Sequence, residues 1–171
     1  MKRLYLIRHA KSSWDHPELA DYDRPLNDRG KKDAPFMGKL LVEEGHIPDV
    51  LLSSPAKRAL STAKRIAQEL GFRKKDIRQN IRLYHADESL LLQAVQAQDN
   101  AAGSVMLFGH NPGLTEFATL LCKYEFSNIP TCGIVCIDFP ADTWKNVRYT
   151  QGKLRFFDYP KKHEKKSKSG K

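Results

Sequence analysis

Two short apolar runs, about a hundred residues apart, constrain this chain more than any other feature. Leu4-Tyr5-Leu6-Ile7 leads straight into Arg8-His9, and Val105-Met106-Leu107-Phe108 leads through Gly109 into His110. Apolar runs without polar alternation read as strands covered on both faces, the pattern of a parallel sheet flanked by helices. Residues just past the carboxyl ends of such strands face the crevice where open α/β sheets bind ligands. The chain is therefore expected to deliver two histidines to one rim.

Strand and helix signals alternate between and beyond these runs. Helical spacing at Ala34, Met37 and Leu41 ends at Gly45, and Pro35 leaves two options: a start near Asp33, or a kink in an earlier helix. Asp49 to Ser53 reads as a second strand. Ser54-Pro55 follows as N-cap and first helical residue of a helix with stripe Ala56, Ala59, Leu60, Ala63, Ala67 and Leu70, stopped by Gly71. An edge strand is predicted over Ile77 to Leu83. Asp87 or Ser89 caps a short helix carrying Leu91, Leu92 and Val95, and Asn111-Pro112 opens one with Leu114, Phe117, Ala118 and Leu121 inward. Ile134 to Ile137 and Leu154 to Phe157 read as an antiparallel pair joined near Gln151-Gly152. The pattern implies an α/β fold, a three-layer helix–sheet–helix sandwich with a mainly parallel central sheet.

The 171 residues suit one domain, read as residues 1 to 160, and no apolar run is long enough to span a bilayer. Met1-Lys2-Arg3 leads into a strand rather than a signal-like segment, so a cytoplasmic location is expected, with no membrane partner. Much of the net charge of +9 sits in residues 161 to 171, where six lysines face one glutamate, leaving +4 for the rest. A like-charged tail without apolar residues is expected to be disordered, a solubilising terminus. It lacks aromatic residues to stack on bases, which argues against nucleic acid as a partner. Cys122, Cys132 and Cys136 lie in apolar sequence and read as buried free thiols, the last two on one face of a strand, rather than as a zinc site.

Around the rim, three companions raise the histidines above the ordinary reading of a hydrogen-bonded core residue. Arg58 falls in the first turn of the helix after Ser54-Pro55. Gly109, without a side chain, lets a ligand approach the backbone before His110, and the helix opened by Asn111-Pro112 offers free N–H groups to an anion. Arginine forks match phosphate oxygens two at a time. Arg8, His9, Arg58 and His110 together describe a pocket for a phosphate dianion.

Arg8-His9-Ala10, Ser53-Ser54-Pro55-Ala56-Lys57-Arg58-Ala59 with Thr62, and Gly109-His110-Asn111-Pro112 resemble the three signatures of the histidine phosphatase superfamily, the phosphoglycerate-mutase-like fold. Arg8-His9-Ala10-Lys11-Ser12-Ser13-Trp14 and Asp23-Arg24-Pro25-Leu26-Asn27-Asp28-Arg29-Gly30 look like its SixA-type phosphohistidine phosphatase branch. The resemblance spans about residues 2 to 158. It implies His9 as nucleophile, forming a phosphohistidine intermediate that water hydrolyses, with Arg8, Arg58 and His110, the last protonated or not, holding the phosphoryl oxygens. No metal or other cofactor is implied, since the arginines supply the positive field.

The resemblance points to Arg24 as a substrate contact; a loop salt bridge to Asp21 or Asp23 is the equal alternative. Ser12, Asn111 and His85 are further candidates for substrate binding, Ser12 with a turn-capping alternative. Trp14 reads as core packing or as a lid. Larger members carry a glutamate that protonates the leaving oxygen, whereas Leu83-Tyr84-His85-Ala86-Asp87 offers only His85 or Asp87, and Asp87 equally reads as a helix cap. An imidazole leaves without the dedicated acid an alkoxide requires, so the expected substrate is a phosphohistidine protein. The alternatives are a small phosphoester or nucleotide phosphatase, and a non-catalytic phosphate-binding scaffold.

Overall fold

Side chains within each apolar run divide between the two faces of one sheet, as the two-residue period of a strand requires. In β1 (Lys2–Arg8), Leu4 and Leu6 join one buried cluster while Tyr5 and Ile7 join the other. β4 (Ser104–Gly109) repeats this, with Val105 and Leu107 on the first face and Met106 and Phe108 on the second. The computed structural model describes residues 1 to 169, the side chains of 165 to 169 excepted.

β1 and β4 lie beside β2 (Val50–Ser53), β3 (Arg78–Gln79), β5 (Ile134–Phe139) and β6 (Lys153–Asp158) in the order β3-β2-β4-β1-β5-β6. The first four pair in parallel; β5 runs antiparallel to β1, and β6 antiparallel to β5. Helices α1 (Asp28–Glu43) and α2 (Lys57–Leu70) cover one face through Ala34, Met37, Leu41, Ala63 and Ile66. Helices α3 (Glu88–Gln96) and α4 (Gly113–Cys122) cover the other through Leu91, Val95, Leu114 and Phe117. The expected three-layer sandwich is the observed one. Among the described residues, no helix is long and apolar enough to cross a membrane.

Several boundaries differ from the sequence expectation. α1 starts at Asp28, where Asn27 accepts the Gly30 N–H, and Pro35 is accommodated inside it. The carbonyl that Pro35 leaves without its helical donor belongs to exposed Lys31, open to water. α2 starts at Lys57, with Ser54 outside the helix, and α4 starts at Gly113. The edge strand shrinks to Arg78–Gln79, both exposed, before a 3-10 turn at Ile81–Leu83 capped by Asn80. Cys132 precedes β5 rather than lying on it, at a positive φ; all three cysteines are free, Cys132 and Cys136 buried and Cys122 half-buried. Gly113 is required where it stands, because a Cβ there would meet the Ala86 carbonyl oxygen at 2.0 Å.

The segment after residue 160, expected to be a disordered tail, begins as helix α5 (Pro160–Ser169). His163 hydrogen-bonds Asp158 at 2.7 Å and Glu164 pairs with Arg29 at 2.7 Å, so charges outside the segment tie down its first turn. Residues 170 and 171 lie outside the described residues.

Leu107, fully buried in β4, is the natural probe of the α3–α4 layer. Leu107→Ala is expected to lower unfolding free energy by about 3 kcal/mol, measured by urea denaturation. A loss below about 1 kcal/mol would contradict a close-packed core at this strand.

Candidate active site

The register of three parallel strands assembles the site. Arg8 of β1 lies opposite Gly109 of β4, and the His9 N–H donates to the Gly109 carbonyl at 3.1 Å. Ser53 of β2 lies opposite Phe108, and the Ser54 N–H donates to the Phe108 carbonyl at 3.1 Å. His9, His110 and Ser54 therefore leave adjacent strand ends at one level. The two imidazole centroids are 5.3 Å apart, and both residues are buried.

Hydrogen bonding assigns the ring proton of His9. His9 Nδ1 lies 2.8 Å from the Ala10 carbonyl oxygen, which can only accept, so the proton sits on Nδ1 and Nε2 carries the free lone pair. His110 Nε2 lies 2.8 Å from Ser54 Oγ, which itself accepts the Ala56 N–H. The Ser54 hydroxyl can donate to Nε2 or accept from it, so this contact admits either tautomer of His110; the other ring nitrogen is Nδ1. That atom is buried and has no partner among the described residues. Burial and the nearby arginines hold His9 down to about 4, against the weaker pull of the Ala10 hydrogen bond. His110 is held down to about 3 by burial, His9 and Arg58. Both rings are neutral at pH 7, which corrects the option of a protonated His110 in the free protein.

Three guanidinium groups surround the histidines. Arg8 donates Nη1 to the Ile129 carbonyl at 3.0 Å, while its buried Nε has no partner among the described residues. Arg58, buried in the first turn of α2, reaches Asp21 through Nη1 to the carbonyl at 2.7 Å and Nη2 to Oδ2 at 3.0 Å. Thr62 accepts the Ala10 N–H and donates to the Arg58 carbonyl, tying the His9 loop to α2. Arg24, also buried, donates Nε to the Ser13 carbonyl, Nη1 to Asp21 Oδ1 and Nη2 to Ser12 Oγ. The unpartnered Arg8 Nε and His110 Nδ1, the free His9 lone pair and the positive field of Arg8, Arg58 and Arg24 on His9 suit an anion with several acceptor oxygens, such as a phosphoryl group.

Of the residues singled out in the sequence, Arg8, His9, Arg58 and His110 come together. Arg24 and Ser12 join them through their mutual hydrogen bond at 2.6 Å, and Arg24 also forms the ion pair with Asp21 that was its alternative reading. The Asn111 amide donates to Asn128 and the Ile129 carbonyl and its oxygen accepts from Thr115, so its side chain holds the scaffold and the expected anion contact is left to backbone N–H groups of that turn. His85 is exposed at positive φ, its ring 3.9 Å from that of Tyr84. Asp87 caps α3, accepting the Leu90 N–H at 2.9 Å. Trp14 is 76 % exposed, with its ring 3.3 Å from the Arg24 guanidinium carbon, so the core-packing reading fails.

Ser54, Asp21 and Tyr84 were not read as site residues. Ser54 carried a signal that pointed elsewhere, the helix-cap pattern Ser-Pro. Tyr84 donates its hydroxyl to Asp21 Oδ2 at 2.6 Å and packs edge-on to His110. Its hydrogen bond, followed by those of Arg58 and Arg24, holds the Asp21 carboxyl well below the usual carboxylate range.

A direct consequence is measurable by NMR. Because the folded pKa of His9 lies below the ordinary value, its ring stays neutral as pH falls from 7.5 and protonates only near about 4. The His9 C–H resonances are expected to be flat from pH 7.5 to about 5.5, whereas an inflection near 6.5 would refute the buried, arginine-flanked environment.

Comparison with known proteins agrees with this architecture. Residues 4 to 87 match the model of the histidine phosphatase superfamily, branch 1. An uncharacterized chloroplastic protein of Arabidopsis thaliana is 31 % identical over 155 residues, covering 85 % of this chain and 70 % of that protein. The structure resembles that of SixA from Agrobacterium tumefaciens with a TM-score of 0.80 and 30 % identity, covering 93 % of this chain and 98 % of that one. A protein histidine phosphatase SixA complexed with tungstate shares the fold at TM-score 0.80 and 21 % identity, over 94 % of this chain and 99 % of that one. With a matching family model, these similarities and two histidines meeting at the strand ends, the chain belongs to the histidine phosphatase superfamily and is a phosphatase.

Proposed function

We propose that this phosphatase removes the phosphoryl group from phosphohistidine in a protein, through a phosphoenzyme formed on His9. The observation that carries the reading is the free Nε2 of His9, in a pair of imidazoles 5.3 Å apart that lies in the field of Arg8, Arg58 and Arg24. His9 Nε2 attacks phosphorus in line while the P–N bond to the substrate imidazole breaks, and that bond pair leaves with the ring. Water then attacks the phosphoryl group on His9, giving inorganic phosphate and restoring the neutral imidazole. Arg8, Arg58 and His110 stabilise the equatorial oxygens, with Arg24 as a further contact.

Leaving-group chemistry supports the substrate class. An alkoxide needs a proton from an acid at the rim, and the carboxyl group touching the arginines, Asp21, is held ionised. Asp87 is engaged as a helix cap, and the Tyr84 hydroxyl already donates to Asp21. An imidazole with a pKa of about 6.5 leaves readily once its ring is protonated, without help from the protein. The exposed Trp14 and exposed His85 leave the rim open to a protein side chain. SixA, with which the fold is shared, is described as a protein histidine phosphatase.

The test is a substrate panel. Turnover of a phosphohistidine peptide is expected to exceed that of a phosphoserine peptide by about 100-fold or more, the usual contribution of a general acid. Comparable rates on both would refute the phosphohistidine reading. His9→Ala is expected to abolish both turnover and acid-labile phosphoenzyme, and His110→Ala to slow turnover with the fold intact. Phosphoenzyme surviving in the His9→Ala variant would move the nucleophile elsewhere.

A further inference from the structure

Asp21 sits in a 3-10 turn (Asp21–Asp23) on the segment between β1 and α1 and collects four side-chain donors from three parts of the chain. Its Oδ2 accepts from the Tyr84 hydroxyl at 2.6 Å and Arg58 Nη2 at 3.0 Å. Its Oδ1 accepts from Arg24 Nη1 at 3.2 Å, and its main-chain carbonyl accepts from Arg58 Nη1 at 2.7 Å. An ordinary loop salt bridge pairs two exposed side chains, whereas both guanidinium groups here are buried. Like charges buried close together need a counter-charge, and Asp21 supplies it to both at once.

Donor counting separates a clamp from a plug. A guanidinium has five N–H donors, and Asp21 engages two of those on Arg58, leaving three. Arg24 directs one donor each to Ser13, Asp21 and Ser12, leaving two. Among the described residues, both arginines thus retain N–H groups without a partner while their rotamers are held, which removes conformational freedom that would otherwise be lost when an anion binds. We infer that Asp21 is a positioning residue of the phosphoryl site, holding Arg58 and Arg24 in one orientation and the Tyr84 ring against His110. The inference rests on the reading that these arginines hold the phosphoryl group. It does not depend on whether the leaving group is an imidazole.

The experiment uses the full chain, with inorganic phosphate binding by calorimetry and turnover of p-nitrophenyl phosphate. Asp21→Asn is isosteric, and thermal melts report whether it folds as the parent does. It is expected to weaken phosphate binding and lower kcat/KM by about tenfold each, the scale of one charge-assisted hydrogen bond. The Asp21→Ala effect should largely vanish in an Arg58→Ala background, because a residue acting through another is non-additive with it. Tighter phosphate binding in Asp21→Asn would make Asp21 a competitor of the ligand and overturn the inference. Unchanged binding, or fully additive losses in the double variant, would also overturn it. A parent protein that binds no phosphate would bring down the phosphoryl-site reading as well, whereas normal binding in parent and variants would bring down only the role of Asp21.

Discussion

The in-register pairing of β1 with β4 and of β4 with β2 is the constraint on which the site depends. Parallel neighbours place corresponding residues a strand spacing apart, so Arg8 opposite Gly109 forces His9 and His110 to leave the sheet side by side. The main-chain bond from His9 to Gly109 and that from Ser54 to Phe108 extend the ladders one residue past the named strands. A slip of one residue in either register would reverse the side chains at that rim between faces. The core resists such a slip. Leu4 and Leu6 are buried against one helical layer, and Tyr5 and Ile7 against the other.

On that frame the electrostatics follow from burial. Packing imidazoles beside guanidinium groups and away from water leaves them neutral, which is the state in which His9 can act as a nucleophile. The carbonyl of Ala10 then determines which nitrogen of His9 carries the proton, and the hydroxyl of Ser54 anchors His110 through Nε2. Asp21 balances the arginine charge without entering the histidine pair, because it approaches from the segment between β1 and α1. Thr62 joins the same assembly from below, bonded to both the Ala10 N–H and the Arg58 carbonyl. Nucleophile loop, arginine and counter-charge are thereby one hydrogen-bonded unit.

Much of this was legible along the chain, and the failures have physical causes. The strands declared themselves because buried parallel strands cannot tolerate polar interruption, and Arg58 was visible as an arginine one turn into the helix that follows Ser54-Pro55. The side-chain partners of Ser54 and Asn111 were hidden for one shared reason. Both precede proline in a helix-opening pattern, yet a hydroxyl or amide at a sheet rim finds stronger tertiary partners, His110 for one and Asn128, Ile129 and Thr115 for the other. Trp14 was misjudged because aromatic rings usually pack inward, whereas here the Arg24 guanidinium supplies its partner at the surface. Asp21 was visible only as one of two candidate partners for Arg24; its bonds to Arg58 and Tyr84 come from distant parts of the chain and left no local signal.

The order of apolar runs and polar clusters by itself determined the layered α/β architecture and which residue types reach the rim, because periodicity and burial are local properties of a chain. Which nitrogen of His9 holds the proton, which carboxylate answers the arginines and which side chains turn away were decided only by tertiary structure. Those outcomes rest on hydrogen bonds between residues separated by tens of positions. Their energies hinge on tenths of an ångström, which no spacing rule along the chain encodes.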